Sequence, residues 1–173
     1  MQFNEPITLK KKGNQFDTIK LMKKIAYQNS KKPFYKNYIK RNNIVGTTDD
    51  LEKIFNDIFY STYFVKDRPG VQQIRTGERL LKEGRGNCVD YSVIISTFLL
   101  NLGIPHKLRM ISTDKNNPTA YSHIYVVTDS GIILDVVLGQ DQNGNEYKKS
   151  KIERTPYFNT QAKFVDKFDL RVL

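Results

Sequence analysis

Residues 88–102 read Cys-Val-Asp-Tyr-Ser-Val-Ile-Ile-Ser-Thr-Phe-Leu-Leu-Asn-Leu, apolar around nearly the whole helical circumference. A helix of this kind has no face to offer to water, so other elements have to wrap it. It falls short of the roughly 20 apolar residues that span a bilayer, and Ser96, Thr97 and Asn101 interrupt it. It therefore reads as the buried central helix of a soluble domain. Asn87 can cap its start, Asp90 sits in its first turn, and Gly103 followed by Pro105 stops it.

The other elements arrange themselves around that helix. Phe16, Ile19, Met22, Ile25 and Ala26 make an apolar stripe over residues 16–29, with Lys20, Lys23 and Lys24 mainly on the other side. Residues 30–46 are polar and aromatic, and Pro33 argues against a continuous helix there. Thr47 or Thr48 caps a second amphipathic helix, with Asp49, Asp50 and Glu52 in its first turn. Its core stripe is Leu51, Ile54, Phe55, Ile58 and Phe59. Asp67-Arg68-Pro69-Gly70 breaks the chain, and residues 71–83 predict a short helix or turn. Strands are expected at 106–112, 121–128 and 131–138, the last two joined through Asp129-Ser130-Gly131. Asn143-Gly144 marks another turn, and residues 163–173 read as a final strand. The fold class is α+β.

Charge and composition exclude several functions. Cys88 is the one cysteine of the chain, so no internal disulfide forms, and with two histidines no zinc-type cluster exists. No acidic loop resembles a calcium site, and no cofactor is expected. The N-terminus lacks a signal-peptide stretch. These features place the protein in the cytoplasm, or packaged from it, with no membrane role. The net charge is +10, and residues 1–50 carry 11 Lys/Arg against 4 Asp/Glu. An extended arm over residues 1–15 adds the triplet Lys10-Lys11-Lys12. Such a basic N-terminus suits a solvated face, nucleic acid or an acidic assembly partner.

The chemistry concentrates at Cys88. Gly84-Arg85-Gly86-Asn87-Cys88 is a glycine-punctuated loop that opens a helix, and a helix N-terminus favours a thiolate. Downstream come His123 in a strand and Asp135 between Leu134 and Val136 in the neighbouring strand. A buried carboxylate is costly without a cationic partner, and an imidazolium is one. Cysteine as nucleophile, histidine as base and acid, and aspartate as orienting acid form a triad. The Cys88 N–H can point into an oxyanion hole. His106, at the mouth of a strand after Pro105, is the weaker base candidate.

These residues carry a family resemblance. Gly86-Asn87-Cys88-Val89-Asp90-Tyr91, Leu99-Leu100-Asn101-Leu102-Gly103-Ile104-Pro105, His123-Ile124-Tyr125-Val126 and Ile133-Leu134-Asp135, in that order, resemble the transglutaminase-like superfamily over residues 68–140. The resemblance implies a papain-like core, with the nucleophile-bearing helix packed on an antiparallel sheet. It assigns Cys88 as nucleophile, His123 as general base and acid, and Asp135 as orienting acid. The family's common Gly-Asp-Cys is Gly-Asn-Cys here, and Gly77 stands where a proline is common. Gln72-Gln73-Ile74-Arg75 resembles an upstream segment with a conspicuous glutamine, which makes Gln72 the oxyanion-hole partner; Gln73 is chemically equivalent. Residues 1–46 would be a basic arm and helix, and 47–173 the transglutaminase-like domain, together one compact unit.

The family's shared chemistry is acyl transfer through a thioester on a peptide or protein substrate. Hydrolysis is the favoured outcome, because the chain has no tryptophan, the usual oxyanion partner in cross-linking relatives, and no calcium apparatus. The alternative is a non-catalytic or auxiliary phage virion protein on the same fold, its basic N-terminus binding nucleic acid or an assembly partner.

Overall fold

The computed structural model describes residues 14–68, 72–140 and 154–173, and the backbone of strand β1 (Ile7–Leu9). The lysine triplet and the Pro69-Gly70 and Asn143-Gly144 turn signals lie outside the described residues.

Three helices precede the site. Asn14 caps α1 (Gln15–Asn29) by accepting from the N–H groups of Phe16 and Asp17, and Asp17 accepts from the Asn14 N–H in return. This reciprocal box satisfies donors that the first turn otherwise leaves orphaned. A new helix, α2 (Pro33–Arg41), begins at Pro33. The proline stops one helix and starts another, since a first-turn N–H has no intrahelical partner to lose. Thr47 and Asp50 form a second box at α3 (Thr48–Ser61), whose Leu51, Ile54, Phe55, Ile58 and Phe59 are all buried. The stripe read from the sequence is thus the core face.

Residues 71–83 divide differently from the expected short helix or turn. Strand β3 (Gln72–Ile74) pairs antiparallel with β1, and only then does α4 (Gly77–Glu83) begin, capped by Thr76. Strand β2 (Tyr63–Phe64) pairs in parallel with β4 (Arg85–Gly86), which leads directly into α5 (Cys88–Leu102).

The main sheet follows α5. Its strands β5 (His106–Ser112), β6 (His123–Thr128), β7 (Ile133–Leu134) and β8 (Asp166–Arg171) run in the order β7-β6-β5-β8, antiparallel throughout. The expected strand at 131–138 shortens to two paired residues. Past Leu134 the chain turns, with the Asp135 carboxylate accepting from the Val137 N–H at 3.2 Å and the Val137 carbonyl from the Gln140 N–H at 3.0 Å. Asn159 covers that edge, exchanging two hydrogen bonds with the Ile133 backbone at 2.9 and 3.0 Å.

Helix α5 lies in the middle of the molecule. Every residue from Val89 to Leu99 is buried. Strand β6 packs on one side of it and α1 on another, and Ile19, Met22 and Ile25 of α1 share one core with Val93, Ile94 and Phe98 of α5. Gly77 lets α4 and α2 close onto the helix. A Cβ there would lie 2.2 Å from Tyr35 Oη and 2.8 Å from Ile94 Cγ1. Among the described residues no helix is long and apolar enough to cross a membrane.

Candidate active site

The start of α5 is fixed by short polar contacts. Asn87 Oδ1 accepts from the N–H groups of Val89 at 3.0 Å and Asp90 at 3.3 Å, and Asp90 Oδ2 accepts from the Asn87 N–H at 2.9 Å. The cap leaves the Cys88 N–H as a first-turn donor with no intrahelical acceptor. Gly86 is forced by close approach, since a Cβ would fall 2.4 Å from Leu80 Cδ1 and 3.0 Å from the Asp90 side chain. Cys88 itself is a free, partly exposed thiol.

Asp90 is fully buried and carries more than its capping bond. Its carboxylate also accepts from the Arg75 backbone N–H at 2.6 Å and from Arg75 Nη1 at 2.8 Å. Arg75 continues to Glu83 at 2.9 Å, and Glu83 to Arg79 at 2.6 Å. Burial pushes the Asp90 carboxyl up to about 6, against the opposing pull of Arg75. Burial also works against the Arg75 charge, but Asp90 and Glu83 outweigh it and hold the guanidinium protonated.

His123 opens β6, opposite Ile111 of β5. Leu134 pairs with Val126, so Asp135 follows just past the end of β7 and reaches His123 diagonally. The contact is direct, His123 Nε2 to Asp135 Oδ2 at 2.7 Å, with the Asp135 side chain 1% exposed. Nε2 being committed to Asp135, Nδ1 is the nitrogen left for the Cys88 thiol, and both residues line the same cleft. Burial works against the imidazolium, but the hydrogen bonds and charges of Asp135 and Cys88 override it and push His123 up to about 10. One imidazole is thus held by a buried carboxylate in the cleft that the Cys88 thiol lines.

A model of the transglutaminase-like domain family matches residues 8–163. The chain belongs to that family. No curated protein matches it. Among solved structures, a proposed cysteine protease from Cytophaga hutchinsonii is similar at 14% identity with a TM-score of 0.41, over 88% of this chain and 50% of that one. This transglutaminase-like chain therefore spans about half the length of that relative.

The second histidine of the transglutaminase-like domain lies elsewhere. His106 is fully buried, its Nε2 bonded to Ser96 Oγ at 2.7 Å and its Nδ1 to the Ile104 carbonyl at 2.8 Å. Burial holds it below the ordinary histidine range. A neutral ring that donates to Ile104 and accepts from Ser96 satisfies both nitrogens, so His106 ties β5 to α5.

Gln72 lines the cleft that contains Cys88 and His123. Its amide nitrogen donates to Asp67 Oδ2 at 3.0 Å and to the Gln73 carbonyl at 3.1 Å. Gln73 sends its backbone N–H to the same Asp67 at 2.8 Å. Both amide hydrogens of Gln72 are thus engaged, and an oxyanion would have to draw one of them away.

Three contributions are not visible in the motifs. Arg75 braces the nucleophile helix through Asp90; an arginine ending the Gln-Gln-Ile-Arg run and an aspartate in an apolar helix were the available signals. Ser92 Oγ bonds both the Cys88 carbonyl at 2.7 Å and the Ile124 carbonyl at 3.2 Å, pinning α5 to β6 one residue from His123. Helix α1 supplies a wall of the cleft through Gln15, Thr18, Ile19 and Met22. Among the described residues no group of three or more His, Cys, Asp or Glu is placed to hold a metal.

Proposed function

We propose that this transglutaminase-like domain performs cysteine-dependent acyl transfer on peptide or amide bonds, with water as the acceptor. The observation that carries the reading is His123 held by Asp135 in the cleft that Cys88 also lines. Cys88 as thiolate attacks the carbonyl carbon, and the C–O π pair moves to oxygen. The Cys88 N–H at the start of α5 supplies one oxyanion donor, and the reading gives a second to Gln72 once an amide hydrogen leaves its present acceptor. As the intermediate collapses, His123 gives its Nδ1 proton to the leaving nitrogen, and a thioester on Cys88 remains. A water then attacks the thioester, His123 takes its proton, and the carboxylic acid product departs as the thiolate re-forms. Asp135 holds the imidazole by Nε2 throughout. Water is given as the acceptor because the chain has no tryptophan, the usual oxyanion partner in the cross-linking members of the family.

Alkylation of Cys88 tests this directly. An isolated thiol titrates near 8.5 and is almost wholly protonated at pH 6, whereas a thiol paired with an imidazolium reacts there. Wild type should react with iodoacetamide at pH 6 at least about 10-fold faster than His123→Ala. Equal, slow rates in the two proteins would retire the triad and leave the fold as a non-catalytic scaffold.

A further inference from the structure

The cleft beside Cys88 encloses about 110 Å³, several times what one water needs. Its walls are Ile19 and Met22 from α1, Val89 from α5, Met110 from β5 and Ile124 from β6, all buried and aliphatic. Polar side chains line the rest, Gln15, Thr18, Gln72, Tyr121, Ser122 and His123, and several of them are committed. The Tyr121 hydroxyl donates to Asp166 at 2.8 Å, and the Gln72 amide nitrogen is used as described. Among the described residues no Lys, Arg, Asp or Glu lines the space, and the cationic ring there, His123, is already matched by Asp135.

Resting on the acyl-transfer reading above, we infer that this cavity is the subsite for a neutral aliphatic side chain on the acyl part of the substrate, and that α1 sets its depth. Once the thioester forms, only the acyl part stays attached to Sγ. A cavity that includes Cys88 is therefore the space this part can reach. A branched aliphatic group fills it and meets methyl and thioether surface on several sides. A charged group would lose its hydration and find no counter-charge. The lysines of the same helix do not enter. Gln15, Thr18, Ile19 and Met22 repeat at helical spacing on one face, and the exposed Lys20 and Lys24 fall on the far face.

Four peptidyl acyloxymethyl ketones, with Leu, Ala, Lys or Glu at the residue that carries the reactive carbonyl, and a fifth with Phe there, test the inference through their second-order rates of Cys88 inactivation. Leu should react about 50-fold faster than Ala, from three more buried carbons, and at least about 100-fold faster than Lys or Glu. Thr18→Phe should fill the cavity and bring the Leu to Ala ratio near one. Met22→Ala should deepen it and raise the rate of a Phe probe relative to Leu; thermal melts check that each variant folds. Equal rates for the four probes on a protein that iodoacetamide alkylates readily would overturn the subsite and leave the acyl-transfer reading standing. So would an unchanged Leu to Ala ratio in a folded Thr18→Phe. A thiol inert to iodoacetamide and to every probe would overturn both.

Discussion

His123 exchanges contacts with three groups, and each has a measurable consequence. Its Nε2 serves Asp135, it shares a cleft with Cys88, and its ring lies 5.6 Å from that of Tyr125. An imidazole raised from about 6.5 to about 10 favours the folded state fully below about pH 6.5. That contribution is lost as pH rises through about 10. His106 has the opposite sign, since its neutral form is the folded form and stability falls as pH drops below its unfolded value. With two histidines in the chain, a 15N-histidine NMR titration separates them. One resonance should stay imidazolium until about pH 10, and the other should stay neutral through pH 7. Asp135→Asn should lower the first midpoint and reduce turnover by about 10²- to 10⁴-fold, because the amide neither stabilises the cation nor enforces the tautomer. An unmoved midpoint would mean that Asp135 does not govern His123. At this scale much was legible. Cys88, His123 and Asp135 stand out as an ordered set; singly, a cysteine at a helix start or a histidine in a strand is more often structural, and only the aspartate between two aliphatics asks for a partner. Arg75 and Ser92 were not, because what they do depends on which element lies across from them.

At the scale of elements, helices were read best where cap and stripe agree. Helices α1, α3 and α5 fall within one or two residues of their expected starts because Asn14, Thr47 and Asn87 each close a capping box. Helix α2 was missed as a helix because a proline says where a helix cannot continue and is silent on whether one begins. Strand β7 was read too long. A run of aliphatics at 132–137, broken only by Asp135, fits a strand, but the Asp135 carboxylate captures the Val137 N–H and turns the chain away from the ladder. Strand β3 was lost to its brevity, three residues whose pairing partner lies some 65 positions upstream. Gly77 gives a direct test of how tightly these elements close. Gly77→Ala should cost about 1–3 kcal/mol in urea unfolding, because the new methyl meets Tyr35 Oη and Ile94 at once. A variant as stable as wild type would show that α4 rides loosely on α5.

For the whole molecule, the N-terminal helix is both structure and site. Ile19, Met22 and Ile25 are each about 1% exposed or less and belong to the same core as α5. The Tyr27 hydroxyl donates to the Val172 carbonyl, joining α1 to the segment after β8. Truncating a buried aliphatic costs about 2–5 kcal/mol, and a domain of this kind has about 5–15 kcal/mol in all. Deleting residues 1–29 should therefore abolish the cooperative thermal transition. A deletion that melts like the full chain would make α1 an appendage. That α1 would carry core residues was legible in its stripe; that it would also wall the cleft was not, since nothing local links residue 18 to residue 88. The two faces of this helix also give the molecule a direction. The exposed Lys20 and Lys24 look away from Cys88, with the width of α1 between them. A surface that engaged Lys20 and Lys24 would therefore have the helix lying between it and the sulfur, with the thiol left to whatever arrives from solution.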